Sequence, residues 1–225
     1  MRVKIHHEGT NILIIGLILL VAVNVPLWLY VSAKAIPVAV TAVTVFLYLL
    51  AVNFFRSPRR HFTGDASRAV VSSVDGKVVA LEEVYESEVL KCRCIQLSVF
   101  MSILNVHANW YPVNGKVTFV AHQPGRFLSA YLPKASTENE RSTILIRTPE
   151  GQNVLVRQIA GAVARRVVTY AEPGDEARID EHLGFIKFGS RVDIFLPLGT
   201  EIFVHIGDKT VGGITEVGRL RPDKT

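Results

Sequence analysis

An α+β, β-dominated single domain following an N-terminal two-helix transmembrane hairpin is the fold class this sequence predicts. Three observations predict it. Two long uncharged apolar runs occupy the first sixty residues of a 225-residue chain that is 49% hydrophobic. The remainder is a series of short runs rich in Val, Ile and Phe, broken by Gly, Pro and Asp-Gly. The roughly 165 residues after the apolar segment are the size of one domain with its own core.

The hairpin comes first. Residues 11–31 and 35–55 are each close to the ~20 residues a helix needs to cross a bilayer, and the backbone in hydrocarbon must satisfy itself as helix. Arg2 and Lys4 precede the first span, Arg56, Arg59 and Arg60 follow the second, and the short link between them carries only Lys34. The positive-inside rule therefore places both ends in the cytoplasm, with the domain that follows on the cytoplasmic side of the cell membrane. Trp28, Tyr30, Phe54 and Phe55 suit the interfaces, and Arg56, Arg59 and Arg60 read as membrane-facing cations. Pro26 predicts a kink and leaves a re-entrant hairpin open. Ala33-Lys34-Ala35 has the form of a signal-peptidase site, but the apolar run is too long for a signal core and another follows at once. The anchor is thus 1–60 and the domain 61–225.

Strands are expected at 69–73, 77–81, 89–98, 115–121, 143–147, 154–159, 162–170, 184–188, 192–196 and 201–206. Residues 99–105 read as a short helix, and the acidic stretch 173–182 as a loop or short helix. The segment 162–168 fits either period.

Composition excludes several functions. Cys92 and Cys94 would share one face of a strand, and no second Cys/His pair completes a metal site, so both read as reduced structural thiols. The net charge of +5 is modest and no basic stripe with interleaved aromatics appears, which argues against nucleic acid. Asp75-Gly76 lies between two apolar runs and by itself signals a hairpin turn; a functional Asp75 would be a buried carboxylate orienting a histidine. His107 sits in a loop rich in Asn, Pro and Gly, where catalytic groups are often positioned. His122 and His205 flank strands and compete with it. Gly189-Ser190 is by itself a turn signal.

The pieces Val74-Asp-Gly-Lys-Val78, Asn105-Val-His107 with Pro112-Val-Asn-Gly115, and Pro124-Gly-Arg-Phe-Leu-Ser-Ala130 occur in that order. Asn139-Glu-Arg141, Ile159-Ala-Gly-Ala-Val-Ala-Arg-Arg166 and Phe188-Gly-Ser-Arg-Val-Asp193 follow them. Together they resemble the phosphatidylserine decarboxylase proenzyme family in its short form, across nearly all of the domain. The resemblance implies self-cleavage between Gly189 and Ser190 into a β chain (1–189) and an α chain (190–225). Ser190 becomes a covalent pyruvoyl cofactor, and Asp75, His107 and Ser190 form the triad that makes it. The substrate amine then forms a Schiff base with that group, and loss of carbon dioxide leaves phosphatidylethanolamine. The implied partners are phosphatidylserine in the membrane and the two chains as a heterodimer, with a higher oligomer left open.

This chain departs from longer relatives in three places, the first being Phe188-Gly-Ser-Arg191 at the cut, where they show Leu-Gly-Ser-Thr. Leu104 stands where they carry a second histidine, so the acid that protonates the carbanion is open between His107, His122 and water. Asn109-Trp110 looks like an insertion. Arg191 and Asp193 flank the cut and read either as headgroup contacts or as a structural pair. Two rival classes remain. One is a non-catalytic membrane-anchored β module, because His205-Ile-Gly-Asp-Lys-Thr-Val-Gly-Gly213 resembles a hairpin of lipoyl-like domains. The other is a membrane serine hydrolase without self-cleavage, which lacks a Gly-x-Ser-x-Gly elbow.

Overall fold

The computed structural model describes residues 3–126, 128–131, 135–161, 166–187 and 190–222. Its contacts divide the chain into two units, Met1–Arg59 and Arg60–Thr225.

In the first unit β1 (Val3–Ile5) leads into α1 (His7–Tyr30), and α2 (Ala35–Phe54) leads into β2 (Arg56–Pro58). Helices of 24 and 20 residues are about 36 and 30 Å long, enough to cross a hydrocarbon layer of about 30 Å. Both present apolar side chains outward along nearly their whole length. The helix continues through Pro26 to Tyr30. A small polar cluster joins the helices where apolar packing alone would leave them free to slide. Asn24 Nδ2 donates to Leu20 O and to Thr44 Oγ1, while Thr41 Oγ1 donates to Asn24 Oδ1 at 2.6 Å. Such bonds hold helices together in lipid. The antiparallel pairing Val3↔Pro58 and Ile5↔Arg56 closes the hairpin, so both of its ends emerge side by side.

The second unit is antiparallel sheet throughout its named ladders. Its strands are β3 (Ala69–Val71), β4 (Gly76–Glu86), β5 (Cys92–Met101), β6 (Ala108–Trp110), β7 (Gly115–Gln123), β8 (Arg141–Arg147) and β9 (Asn153–Ala160). Then come β10 (Arg166–Thr169), β11 (Glu176–Ala177), β12 (His182–Lys187), β13 (Ser190–Pro197), β14 (Glu201–Ile202), β15 (Lys209–Thr210) and β16 (Glu216–Arg219). One short helix, α3 (Ala135–Glu138), lies between β7 and β8. An eight-stranded sheet runs β11-β7-β8-β9-β13-β5-β4-β15, and three-stranded sheets run β10-β12-β6 and β14-β16-β3.

Period-two alternation decides which face of the large sheet meets the core. Val192, Ile194 and Leu196 of β13 join Leu97, Val99 and Met101 of β5 and Val154, Val156 and Ala160 of β9 in the main core. The intervening residues Arg191, Asp193 and Phe195 face the other side, yet they too are buried. Sheet β13 is thus covered on both faces.

Several expectations are corrected by competing local chemistry. Asp75-Gly76 is not a hairpin turn: β3 pairs with β16 and β4 with β5, so this dipeptide carries the chain from one sheet to another. Residues 99–101 extend β5 instead of starting a helix. Asn105 Oδ1 then accepts from both the N–H and the hydroxyl of Ser102, closing a tight turn. The 89–98 strand starts only at Cys92, because Glu86 accepts from the N–H groups of Glu88, Val89 and Leu90 and fixes a turn there. The 201–206 strand is only Glu201–Ile202, and the acidic stretch contains β11, paired to β7. Part of the 162–170 strand lies outside the described residues; its end is β10.

Candidate active site

Sheet order brings three of the predicted residues to one end of three neighbouring strands. Ser190 opens β13 and pairs with Met101, the last residue of β5. Asp75 immediately precedes β4, whose Lys77 pairs with Phe100. His107 follows the turn that leaves Met101 and immediately precedes β6, where Ala108 pairs with Phe185 of β12. Two pairings, Met101 with Ser190 and Ala108 with Phe185, thus tie the strands on either side of His107 to β13 and β12.

Ser190 is fully buried, and its hydroxyl lies 3.1 Å from the Met101 sulfur, a weak acceptor. Gly189, the other half of the expected cut, lies outside the described residues. His107 is also fully buried, with Nδ1 3.0 Å from the Asn105 carbonyl oxygen. A carbonyl only accepts, so Nδ1 carries a proton in this contact.

Asp75 is held differently from the expectation. Arg60 Nη1 and Nη2 reach its two oxygens at 2.5 and 2.9 Å, and the Gly212 N–H donates to Oδ1 at 2.9 Å. The orienting partner at His107 Nδ1 is a backbone carbonyl, and the carboxylate is matched by a guanidinium, whose forked donors fit it two to two. Arg60 is corrected as well. Its side chain is 4% exposed, so it is not a cation presented to lipid. Arg59 is exposed and Arg56 half-buried, with Arg56 Nη1 donating to Asn53 O.

The remaining predicted residues sit apart. Arg191 and Asp193 face away from Ser190 by alternation and form a buried pair, Nε to Oδ1 2.6 Å, with Ser98 and Ser136 completing the bonds. That arrangement satisfies both side chains within the fold and leaves neither extended toward a headgroup. His122 on β7 is half-exposed beside Glu140. Its register runs through Ser142 and Gln158 to Val192, three strand spacings or about 14 Å from β13. A cleft of about 1090 Å³ lined by Lys116, Arg147, Asp180 and Glu181 lies at the opposite end of these strands.

Sequence reasoning missed a buried polar chain behind His107. Asn109 Nδ2 donates to the His107 carbonyl at 3.1 Å, and Gln158 Nε2 donates to Asn109 Oδ1 at 2.6 Å. Thr169 Oγ1 lies 2.9 Å from Gln158 Oε1 and 2.7 Å from Ser142 Oγ. The available signal was Gln158 itself, a polar residue in the core-facing row Val154, Val156, Gln158, Ala160.

Comparison with known proteins places this geometry. Residues 47–217 match the family model described as phosphatidylserine decarboxylase. A phosphatidylserine decarboxylase proenzyme of Bacteroides thetaiotaomicron is 56% identical over 221 residues, 98% of this chain and 96% of the relative. That of Porphyromonas gingivalis is 54% identical over 219 residues, covering 96% and 99%. That of Cytophaga hutchinsonii is 40% identical over 217 residues, covering 96% and 98%. The chain belongs to the phosphatidylserine decarboxylase family. The family match begins inside α2 and ends in β16, so it takes in every strand that borders Ser190.

Two groups beside the decarboxylase fold's buried face have displaced ionisation. Burial opposes the charge on Glu86, but the N–H groups of Val89 and Leu90 and the Arg157 guanidinium outweigh it and hold the carboxyl below its ordinary range. Burial pushes the Cys94 thiol up to about 11, which leaves it an inert thiol.

Proposed function

We propose that this chain is a phosphatidylserine decarboxylase proenzyme that converts Ser190 into its own pyruvoyl group and releases carbon dioxide and phosphatidylethanolamine. The observation that carries the reading is the convergence of Ser190, His107 and Asp75 at one sheet end in a member of this family. A fully buried serine suits a reaction whose electrophile is the neighbouring carbonyl of its own chain.

In this reading Ser190 Oγ attacks the Gly189 carbonyl carbon while His107 Nε2 takes the hydroxyl proton. The amide C–N bond breaks as the ester C–O bond forms, and the freed amine stays on residue 190. Elimination across the Cα–Cβ bond of residue 190 expels the Gly189 carboxylate. Water then replaces the nitrogen, which leaves as ammonia. Asp75, the carboxylate that the family resemblance implies for the triad, stands at the same sheet end with its charge matched by Arg60. Residue 190 fits conversion, because losing a hydroxyl bonded to a thioether orphans no strong buried partner. When present, the pyruvoyl group supplies the electron sink for the pair left by the departing carboxylate. In this reading His107 holds and returns the proton. The two apolar helices keep the enzyme at the bilayer that holds its substrate. Their basic flanks support the reading that the domain lies on the cytoplasmic side of the cell membrane. The working enzyme is a heterodimer of residues 1–189 and 190–225.

The test is a denaturing gel with intact mass on the full chain, followed by carbon dioxide release from phosphatidylserine vesicles. The expected result is a C-terminal fragment starting at a blocked residue 190, with Ser190→Ala uncut and inactive. An uncut wild-type chain that releases carbon dioxide would overturn the mechanism, and a cut chain inert toward phosphatidylserine would overturn the substrate.

A further inference from the structure

We infer that Arg60 is a positioning residue for self-cleavage, clamping together the three chain segments that carry or adjoin the reacting groups. The inference rests on the proposed self-cleavage.

Arg60 is the first residue of the second unit, and its guanidinium meets three partners from distant parts of the sequence. The first is Asp75, held through both oxygens at 2.5 and 2.9 Å. The second is Gly212, whose carbonyl accepts from Arg60 Nη1 at 2.7 Å while its N–H donates to Asp75. The third is Trp110, whose ring centre lies 4.4 Å from the guanidinium carbon.

Each partner leads to the site. Asp75 is the proposed carboxylate. Trp110 lies on β6, the strand that His107 immediately precedes, and its N–H donates to Ser73 O beside Asp75. Gly212 belongs to the segment that follows the proposed cut, so the same guanidinium links residues before and after position 190. The fit is close: a Cβ on Gly212 would lie 2.8 Å from both Trp110 Cε3 and Val74 Cα.

Stability alone does not account for this arrangement. A buried ion pair recovers little more than its desolvation cost, and Arg60 Nε is buried without a hydrogen-bond partner. What the pair does well is fix direction, because a planar fork admits one docking geometry on a carboxylate. Arg60 thus sets where Asp75 and the His107 strand stand relative to each other without touching the reacting atoms.

The experiment uses the full chain in detergent and follows the uncut fraction with time after synthesis. Arg60→Gln should slow the cut about ten- to hundredfold, the range for losing charge-assisted bonds. Arg60→Lys keeps the charge but loses the fork and should fall between. In Arg60→Ala, millimolar guanidinium should restore part of the rate, which a merely structural role would not allow. Arg59→Gln, at an exposed neighbour, should cut at the wild-type rate. Wild-type rates in both Arg60→Gln and Arg60→Lys would overturn the inference, as would a folded Arg60→Ala that guanidinium fails to rescue. If Arg60→Gln does not fold, Arg60→Lys decides. Failure of the wild-type chain to cut at all would instead strike the self-cleavage reading beneath it.

Discussion

Replacing Asp193 by alanine tests whether the charge layer behind Ser190 is architecture or ligand site. Arg191 is 3% exposed and Asp193 fully buried. The carboxylate takes Arg191 Nε at 2.6 Å and Nη2 at 3.3 Å, accepts from Ser136 Oγ at 2.6 Å, and lies 3.4 Å from Gln96 Nε2. Without it, Arg191 keeps the Ser98 hydroxyl at 2.7 Å and remains a charge in the interior. Breaking a buried pair from one side costs about 3–5 kcal/mol, whereas replacing both partners with apolar groups is close to neutral. Against a total of roughly 5–15 kcal/mol for a domain, the single change removes about a fifth or more of the stability. The double variant Arg191→Met with Asp193→Leu should lie within about 1–2 kcal/mol of its parent. Urea unfolding in mild detergent, read from buried Trp110 in a Ser190→Ala background, keeps every species a single chain. A loss below about 1 kcal/mol for Asp193→Ala, the value for a solvated pair, would refute the reasoning. So would a double variant as unstable as the single one.

Gly212→Ala should destabilise the domain by about 1–3 kcal/mol, because its Cβ meets the Val74 backbone as well as the Trp110 ring and neither can move aside cheaply; the same urea titration reads it. Stability should also fall in acid through Glu86. Its folded carboxyl ionises below the ordinary value, so its contribution is complete above about pH 4.5 and is lost as the pH drops through the lower folded value. Glu86→Gln should flatten that part of the stability profile, and an unchanged slope below pH 4.5 would exclude the residue as its source.

What could be read from the sequence was whatever depends on runs and order. The hairpin was legible because some twenty uncharged residues admit few conformations other than helix in lipid. Most strands were legible from β-branched alternation, and the family from the order of its motifs. Arg60 was not, because a cation beside an apolar span reads the same whether it faces headgroups or turns inward to a carboxylate. Asp75-Gly76 misled for a related reason: the dipeptide specifies a sharp change of direction, while partners far along the chain decide which strands it joins. Ser102 and Asn105 turned a predicted helix into a strand end through two side-chain hydrogen bonds, a choice invisible to periodicity. His107 and Asn109 share a loop-like composition, yet Gln158 on another sheet draws Asn109 into β6.

The burial of β13 on both faces, between β9 and β5, has a consequence for the life of the molecule. If the chain is cut just before Ser190, the shorter product begins with the central strand of the large sheet, so it cannot leave without dismantling its neighbours. Before the cut, the two halves find each other at the millimolar effective concentration that a tether provides. After it, any unfolding separates them, and reassembly becomes a second-order encounter between a membrane-held chain and a freely diffusing fragment. Folding must therefore be completed first, and an enzyme once denatured should not recover on dilution, while the Ser190→Ala precursor should.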